Sequence, residues 1–357
     1  MTVTLPGVAD SVAEHEEILV CSDPDVGLRA VVAIHSTALG PALGGCRFYP
    51  FPSEAAAVAD VLRLSAGMTM KNALAGLDIG GGKAVVIGDP RRHRSEPLLR
   101  AFGRFVESLE GRYITGPDVG TTSDDMDVVG LETSYVAGRS PARGGSGDVS
   151  WSTALGVEMA MRAVARHRSG SESLSGRSIA IAGLGKVGSH LARRLAAAGA
   201  DLTVADIDAA AVARVVGATG AATVSPEQIH RVDCDIFSPN ALGGVLAAAT
   251  IGELRCGAVV GAANNQLGDP TCAGRLAEAG LTYVPDYVAN AGGVIQCAGE
   301  FDGSSAAEVE ARVRRICDTT RMILERAEAE GVTTAAAADA LARARIDGAR
   351  RRPKETT

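Results

Sequence analysis

Along most of the chain, apolar residues fall into short patterned runs punctuated by glycine, proline and aspartate. Between Ile18 and Ile34 two apolar runs flank "SDPDVG", which predicts a hairpin-like pair of strands. In "PSEAAAVADVLRLSAGMTMKNALAG" the apolar positions Ala56, Val58, Val61, Leu62 and Leu64 recur at helical spacing, with Ser53 placed to cap the first turn. "KAVVIGDP" predicts a strand ending in a turn, and "EPLLRAFGRFVESLEG" an amphipathic helix stopped by Gly111. The Gly/Ser/Pro-rich "GRSPARGGSGDVSW" reads as a crossing between domains, after which "STALGVEMAMRAVARHR" resumes a helix. Strand and helix patterns then alternate through "SIAIAGLGKVGSHLARRLAAAGADLTVADID", "CDIFSP", "GAVVGAA" and "LTYVPDY". Such alternation predicts a parallel sheet covered by helices.

The expected fold class is therefore α/β with two domains. The first is expected over 1–145 as a mixed α/β domain and the second over 146–325 as a parallel sheet covered by helices.

Composition narrows the function classes. With 357 residues, 46% hydrophobic and 22% charged, the chain can bury two sizeable cores. A net charge of −7 and only 3% aromatic residues argue against nucleic acid as a partner. The N-terminus lacks a basic-then-apolar leader, and "IFSPNALGGVLAAATIG" is too short and too rich in Gly and Pro to span a membrane. Seven scattered cysteines without a CxxC pair read as reduced thiols, not as a disulfide framework or a metal site. A cytoplasmic protein without metal is expected.

The sharpest local signal is "AIAGLGKVG". Gly183, Gly185 and Gly188 follow a strand and open a helix, and Leu184, Lys186 and Val187 complete the loop. The first glycine permits the tight turn, the second lets backbone approach a pyrophosphate, and the third lets helix and strand pack closely. Asp206, at the end of the next strand and 23 residues after Gly183, can accept from both hydroxyls of an adenosine ribose. A carboxylate there repels a 2′-phosphate, so NAD is expected over NADP.

Upstream, Lys71 in "GMTMKNA", Lys83 in "GGGKAV" and Asp118 in "TGPDVGT" place charges in glycine-rich or apolar surroundings. Singly, each has an ordinary reading: a solvated helix end, a snorkelling strand lysine, a turn or N-cap residue for "TTSDDMD". Together, beside a dinucleotide module, they suggest a shielded lysine whose proton affinity is lowered until it serves as a general base.

The runs "LGPALGGCRFYP", "GMTMKNALAGLDIGGGKAVVIGDP", "GPDVGTTSDDMD", "GLGKVG", "VVGAANNQL" and "PDYVANAGGVIQ" resemble, in order and spacing, the glutamate/leucine/phenylalanine/valine dehydrogenase family over roughly residues 17–325. The resemblance is strongest to its valine and leucine branch. It implies oxidative deamination of an L-amino acid to its 2-oxo acid and ammonia, with NAD taking the hydride, in a homo-oligomer. It also implies that 1–145 is an α/β substrate-binding and catalytic domain, on which the C-terminal helix 326–357 packs back, and that 146–325 is a Rossmann-type dinucleotide-binding domain, with an active-site cleft between them. Carried over, Lys71 binds the substrate carboxylate, Lys83 is the catalytic lysine and Asp118 its acid/base partner. Thr153, Ala262, Asn264 and Asn290 resemble positions that hold the nicotinamide side of the cofactor, with Asn264 and Asn290 also meeting substrate. The glycines before Lys83 are expected to let substrate and backbone come close.

Leu43 stands where glutamate-specific relatives carry a lysine, so a side-chain carboxylate would have no counter-charge there. Leu43 and Val294 match an aliphatic pocket. Gly116, where leucine-specific relatives carry alanine, and Cys297, where valine is usual, depart from that pattern. Gly116 resembles the roomier phenylalanine-specific members. Branched-chain side chains are expected, with phenylalanine as the competing substrate. A catalytically inactive NAD-binding protein is the alternative class, and it predicts a damaged Lys71, Lys83 and Asp118 set. All three are present. Cys46 reads as a small buried filler, and the basic stretch Arg343–Lys354 as a solvated helix end or oligomer contact.

Overall fold

A computed structural model describes residues 12–351, so the leader reading and the last residues of the basic tail lie partly outside the described residues. Its Cα positions form two compact units. One holds the described chain up to Val149, together with Gln296–Ser305 and the chain from Ala342 onward; the other holds Ser150–Ile295 and Ala306–Leu341.

The first unit is built on a mixed sheet. Its strands are β1 (Glu17–Asp23), β2 (Leu28–Ser36), β3 (Ala42–Leu43), β4 (Cys46–Tyr49), β5 (Gly80–Ile87) and β6 (Tyr113–Ile114). They lie in the order β1-β2-β5-β3-β6, with β4 also pairing with β5. The predicted hairpin is β1 and β2, antiparallel and turned through Gly27 at φ 73°. β2 runs antiparallel to β5, while β3 and β4 run parallel to it, so β5 is central. Alternation along β2 divides the core: Val31 and Ala33 pack with Val61, Leu62 and Val85 on one face, and Val32 and Ile34 with Phe48, Phe102 and Tyr113 on the other.

Helix α1 (Glu54–Leu74) covers the first face, and the Ser53 hydroxyl accepts from Ala56 N at 3.1 Å as its predicted cap. Helices α2 (Glu96–Glu107) and α3 (Ser123–Val129) bury residues in the other core. The cap of α3 is Thr122, in a reciprocal capping box with Asp125, so Asp118 is not needed there.

The second unit is an all-parallel sheet of β7 (Ser178–Ala182), β8 (Asp201–Ala205), β9 (Ala222–Thr223), β10 (Cys234–Pro239), β11 (Cys256–Val259) and β12 (Thr282–Tyr283). Its order is β12-β11-β10-β7-β8-β9. Numbered within the unit, that is the 3-2-1-4-5-6 order of a dinucleotide-binding sheet, with its crossover reversal between β7 and β10. Helix α4 (Ser150–Ser169) opens the unit, and α5 (Lys186–Ala197) follows the glycine loop.

Three features differ from the sequence-based picture. Gln296–Ser305, expected within the second domain, joins the first unit. Residues 326–341 stay with the second unit, because helix Ile316–Glu330 buries Ile316, Ile323, Leu324 and Ala327 and packs on α4. Helix Thr334–Arg350 joins the first unit only from Ala342. Within its basic end, Arg345 is not simply solvated. Its guanidinium donates to the Ala73 carbonyl at 2.7 Å and to Asp78 at 2.9 Å, capping the end of α1. Among the described residues, no helix is long and apolar enough to cross a membrane. All seven cysteines are free thiols, with Cys46 buried in the first unit's core.

Candidate active site

β5 carries Lys83 into the centre of the first unit, where the residue is 6% exposed. A charge so buried must be compensated, because desolvating an ion costs several kcal/mol. Compensation comes from Asp118, whose Oδ2 lies 2.8 Å from Lys83 Nζ. The charged group within hydrogen-bonding reach of Lys83 is thus a carboxylate.

The loop bearing Asp118 is fixed along β4 by backbone bonds: Cys46 N donates to Gly116 O at 2.8 Å and Phe48 N to Val119 O at 2.9 Å. Thr121 ties the loop further, accepting from Asp118 N at 2.9 Å and donating to Cys46 O at 2.9 Å. Burial alone would raise the Asp118 carboxyl. The Lys83 ammonium, with Arg47 Nε at 3.3 Å from the same oxygen, outweighs that and holds it below the usual carboxylate range.

The glycines before Lys83 have a different purpose from the one expected. A Cβ on Gly81 would stand 2.1 Å from the backbone nitrogen of Thr69, and one on Gly82 would lie 2.9 Å from the Tyr113 ring. Helix α1 and Tyr113 therefore press directly on bare backbone. This close approach brings the end of α1, with Lys71, beside β5. Asn72 locks the arrangement: fully buried, it donates to Gly80 O at 2.6 Å and to Leu43 O at 3.4 Å. Leu43 on β3 is buried opposite Gly81.

Gly116 is buried next to the Asp118 loop, and an added Cβ there would meet only the Ala137 carbonyl, at 3.5 Å. Cys297, on helix α6 (Gly292–Asp302), has its thiol pushed up to about 12 by burial and by Glu300, with the Lys71 cation opposing. Glu300 on the same helix accepts from Gly138 N at 2.9 Å and Ser146 N at 3.0 Å, holding the irregular stretch before α4.

In the second unit the glycine loop has the local geometry its sequence predicts. Gly183 adopts φ 95°, outside the range of other residues, and a Cβ on Gly188 would fall 2.0 Å from Gly183 O. At Gly185 a Cβ would meet nothing within 4 Å, so that backbone faces open space. Asp206 accepts from Leu184 N and, at 2.8 Å, from Asp208 N. A recess of about 300 Å³ is lined by Leu184, Gly185, Lys186, Asp206, Asp208 and Arg214. Val187, on the first turn of α5, is half-buried. Asn290 is buried and donates to Ala262 O at 3.1 Å and to Asn264 Oδ1 at 2.7 Å, so these three predicted residues form one cluster. Thr153 and Val294 are both 9% exposed, on α4 and α6.

The structure thus joins Lys83 to Asp118 and Asn264 to Asn290. It adds Arg47, Asn72 and Tyr113, which the sequence did not single out. Tyr113 donates to Gly44 O at 2.5 Å and so fixes the Gly-Gly pair before β4. Asn72, directly after Lys71 in an otherwise apolar helix end, was the readable signal of the three.

Comparison with known proteins places the whole chain. The family model for the Glu/Leu/Phe/Val dehydrogenase dimerisation domain matches residues 15–135. The model for glutamate/leucine/phenylalanine/valine dehydrogenase matches residues 144–215 and 204–352. Valine dehydrogenase of Streptomyces coelicolor is 51% identical over 342 residues, covering 95% of this chain and 94% of that protein. Leucine dehydrogenase of Geobacillus stearothermophilus is 47% identical over 338 residues, covering 95% and 92%. The crystal structure of L-tryptophan dehydrogenase from Nostoc punctiforme superposes with a TM-score of 0.86 at 41% identity, covering 97% of this chain and 99% of that one. A dehydrogenase of this kind implies a nicotinamide cofactor and an amino-acid substrate. The fold, the matched models and these relatives agree: the chain belongs to the glutamate/leucine/phenylalanine/valine dehydrogenase family.

Proposed function

We propose that the protein catalyses the reversible, NAD-dependent oxidative deamination of a branched-chain L-amino acid (valine, leucine or isoleucine) to its 2-oxo acid and ammonia. The observation that carries this reading is the buried Lys83–Asp118 pair at 2.8 Å, in a chain whose relatives are named valine and leucine dehydrogenase. Lys71 takes the substrate α-carboxylate. Bound NAD supplies the acceptor for the hydride that leaves Cα. Lys83, acting in its neutral form with Asp118 as its partner, takes a proton from the water that adds to the resulting iminium carbon. The pair returns a proton to nitrogen as the carbinolamine expels ammonia. In balance, amino acid, NAD⁺ and water give 2-oxo acid, ammonium, NADH and one proton.

NAD is favoured because an ionised carboxylate offers about four acceptor sites. Leu184 N and Asp208 N use two on Asp206, and the rest suit the two ribose hydroxyls. A 2′-phosphate would bring like charge to the same spot. The open Gly185 and the recess beside it fit the pyrophosphate and ribose, with Gly183, Leu184, Lys186, Val187 and Gly188 forming the loop. Thr153, Ala262, Asn264 and Asn290 are assigned to the nicotinamide side. Leu43, Gly116, Val294 and Cys297 are assigned to the side-chain pocket, where no lysine balances a glutamate carboxylate. The dimerisation-domain description of the matched family model supports a homo-oligomer.

A second reading, preference for an aromatic side chain such as that of phenylalanine, is favoured by glycine at 116, where a Cβ would meet only the Ala137 carbonyl at contact distance. The test is kcat/KM for NADH formation with valine, leucine, isoleucine, phenylalanine, tryptophan and glutamate, using NAD and NADP. The highest value is expected for a branched-chain substrate with NAD. A strong lead for phenylalanine or tryptophan would install the second reading, and no turnover on any amino acid would overturn both.

A further inference from the structure

The sequence "CRFY" of β4 alternates, with Cys46 and Phe48 buried in the core. Arg47 therefore leaves by the opposite face, and there it bridges two carboxylates. Its Nη1 lies 2.7 Å from Asp60 Oδ2 on α1, and its Nε lies 3.3 Å from Asp118 Oδ2. That second oxygen is also the one contacted by Lys83 Nζ. The side chains of Arg47, Asp60 and Asp118 are 20%, 17% and 18% exposed, so this is not the solvent-screened surface pairing that contributes little.

We propose that Arg47 is a positioning residue for the deamination. Anchored on Asp60, it clamps the Asp118 carboxylate against Lys83 and sets the pH at which that carboxylate takes up a proton. The inference rests on the reading of Asp118 as the proton-carrying partner of Lys83.

Three observations support it. The anchor comes from α1, the helix whose last turn carries Lys71, so one element orients both Arg47 and the residue assigned to the substrate carboxylate. The anchor is itself held, since Arg63 Nη2 pairs with Asp60 Oδ1 at 2.8 Å. Finally, the other titratable groups around Asp118 add no competing cation. Cys46 from β4 and Tyr113 from β6 are buried and their ionisation is pushed up, so both stay neutral; Asp125, on α3, pairs with Arg94. Among the described residues, Lys83 and Arg47 are the cations paired with Asp118, and Arg47 is the one not assigned to the chemistry.

With Arg47 removed, Asp118 keeps one cation instead of two and protonates more readily. The sign follows: the acid limb of the pH–kcat/KM profile moves to higher pH, by about one unit for loss of one close opposite charge. Arg47→Gln should show that shift and a roughly tenfold lower kcat, in line with loss of orientation at a proton-transfer group, with KM for the amino acid and Kd for NAD within about twofold. Arg47→Lys should restore most of the pH profile but only part of kcat, because an ammonium cannot bridge two carboxylates as a planar fork does.

The experiment measures pH–kcat/KM profiles of wild type, Arg47→Gln, Arg47→Lys and Asp118→Asn, each with a melting curve. An Arg47→Gln profile superimposable on wild type overturns the proposal. So does activity lost in step with melting temperature and not regained in Arg47→Lys. If Asp118→Asn retains wild-type turnover, the underlying reading of Asp118 fails. If Asp118→Asn is inactive while the Arg47→Gln profile is unmoved, only the role of Arg47 fails.

Discussion

In the second unit, the loop from Gly183 to Gly188 and the carboxylate of Asp206 belong to one continuous strand–loop–helix–strand segment. In the first unit, Lys83 meets a carboxylate from a separate loop, and that carboxylate meets an arginine 71 residues away in sequence. Glycines differ in the same way. Gly81 is small because helix backbone presses on it, whereas Gly185 has empty space where a side chain would be. Gly81 serves packing around a buried charge, whereas Gly185 leaves room for something outside the chain. A motif that contains its own geometry can be read from spacing; a site assembled from distant segments cannot.

The contrast yields a graded set of expectations. Lys83→Ala should lower turnover by about 10²–10⁴-fold, the usual cost of losing a general base. NAD affinity, measured by titration, should stay near wild type, and a parallel loss of NAD binding would blur the division of labour. Asp206→Ala should do the reverse, weakening NAD by about 1.5–3 kcal/mol for each charge-assisted bond lost. Its kcat at saturating NAD should be largely retained.

The two glycines give the cleanest comparison. Gly81→Ala inserts a methyl into helix backbone and should cost about 1–3 kcal/mol in denaturant unfolding. Gly185→Ala should leave stability unchanged yet raise Kd for NAD. Equal effects on stability would contradict the distinction between packed and open glycine.

Gly116→Ala is smaller again. The methyl fits at ordinary contact distance, so the fold should tolerate it, and any activity on phenylalanine should fall relative to valine by about tenfold, within the 1–3 kcal/mol that such a pocket change controls. Unchanged ratios would remove Gly116 from the pocket.

The smallest expectation concerns pH. The folded-state proton affinity of Asp118 is depressed, so its contribution to stability is present above the unfolded carboxyl value, about 4, and is lost as pH falls through the lower folded one. The stability gap between wild type and Asp118→Asn should therefore be steady near neutrality and shrink below about pH 4. A gap that widens in acid would contradict the Lys83–Asp118 pairing.

What was legible follows the same line. The hairpin, the Ser53 cap, the strands of the second sheet other than the two-residue β9 and the loop at Gly183 all depend on local pattern or local turn chemistry, and each was visible in sequence. The glycines before Lys83 were noticed but misassigned, because only the packed helix reveals that Thr69 is what approaches them. Arg47 gave no signal: a lone arginine in a short strand becomes informative only once Asp60 and Asp118 converge on it. Arg345 looked like part of a solvated tail for the same reason, since its acceptors, Ala73 O and Asp78, lie on elements near the other end of the chain.

The central claim is that this site deaminates a branched-chain amino acid at the expense of NAD. Its most direct test incubates the purified protein with L-valine and NAD and quantifies NADH, ammonia and 2-oxo acid in the same samples over time. The account predicts that the three accumulate in equal amounts and that Lys83→Ala slows all three together by about 10²–10⁴-fold. NADH without matching ammonia, or a Lys83→Ala protein that produces them at the wild-type rate, would contradict it.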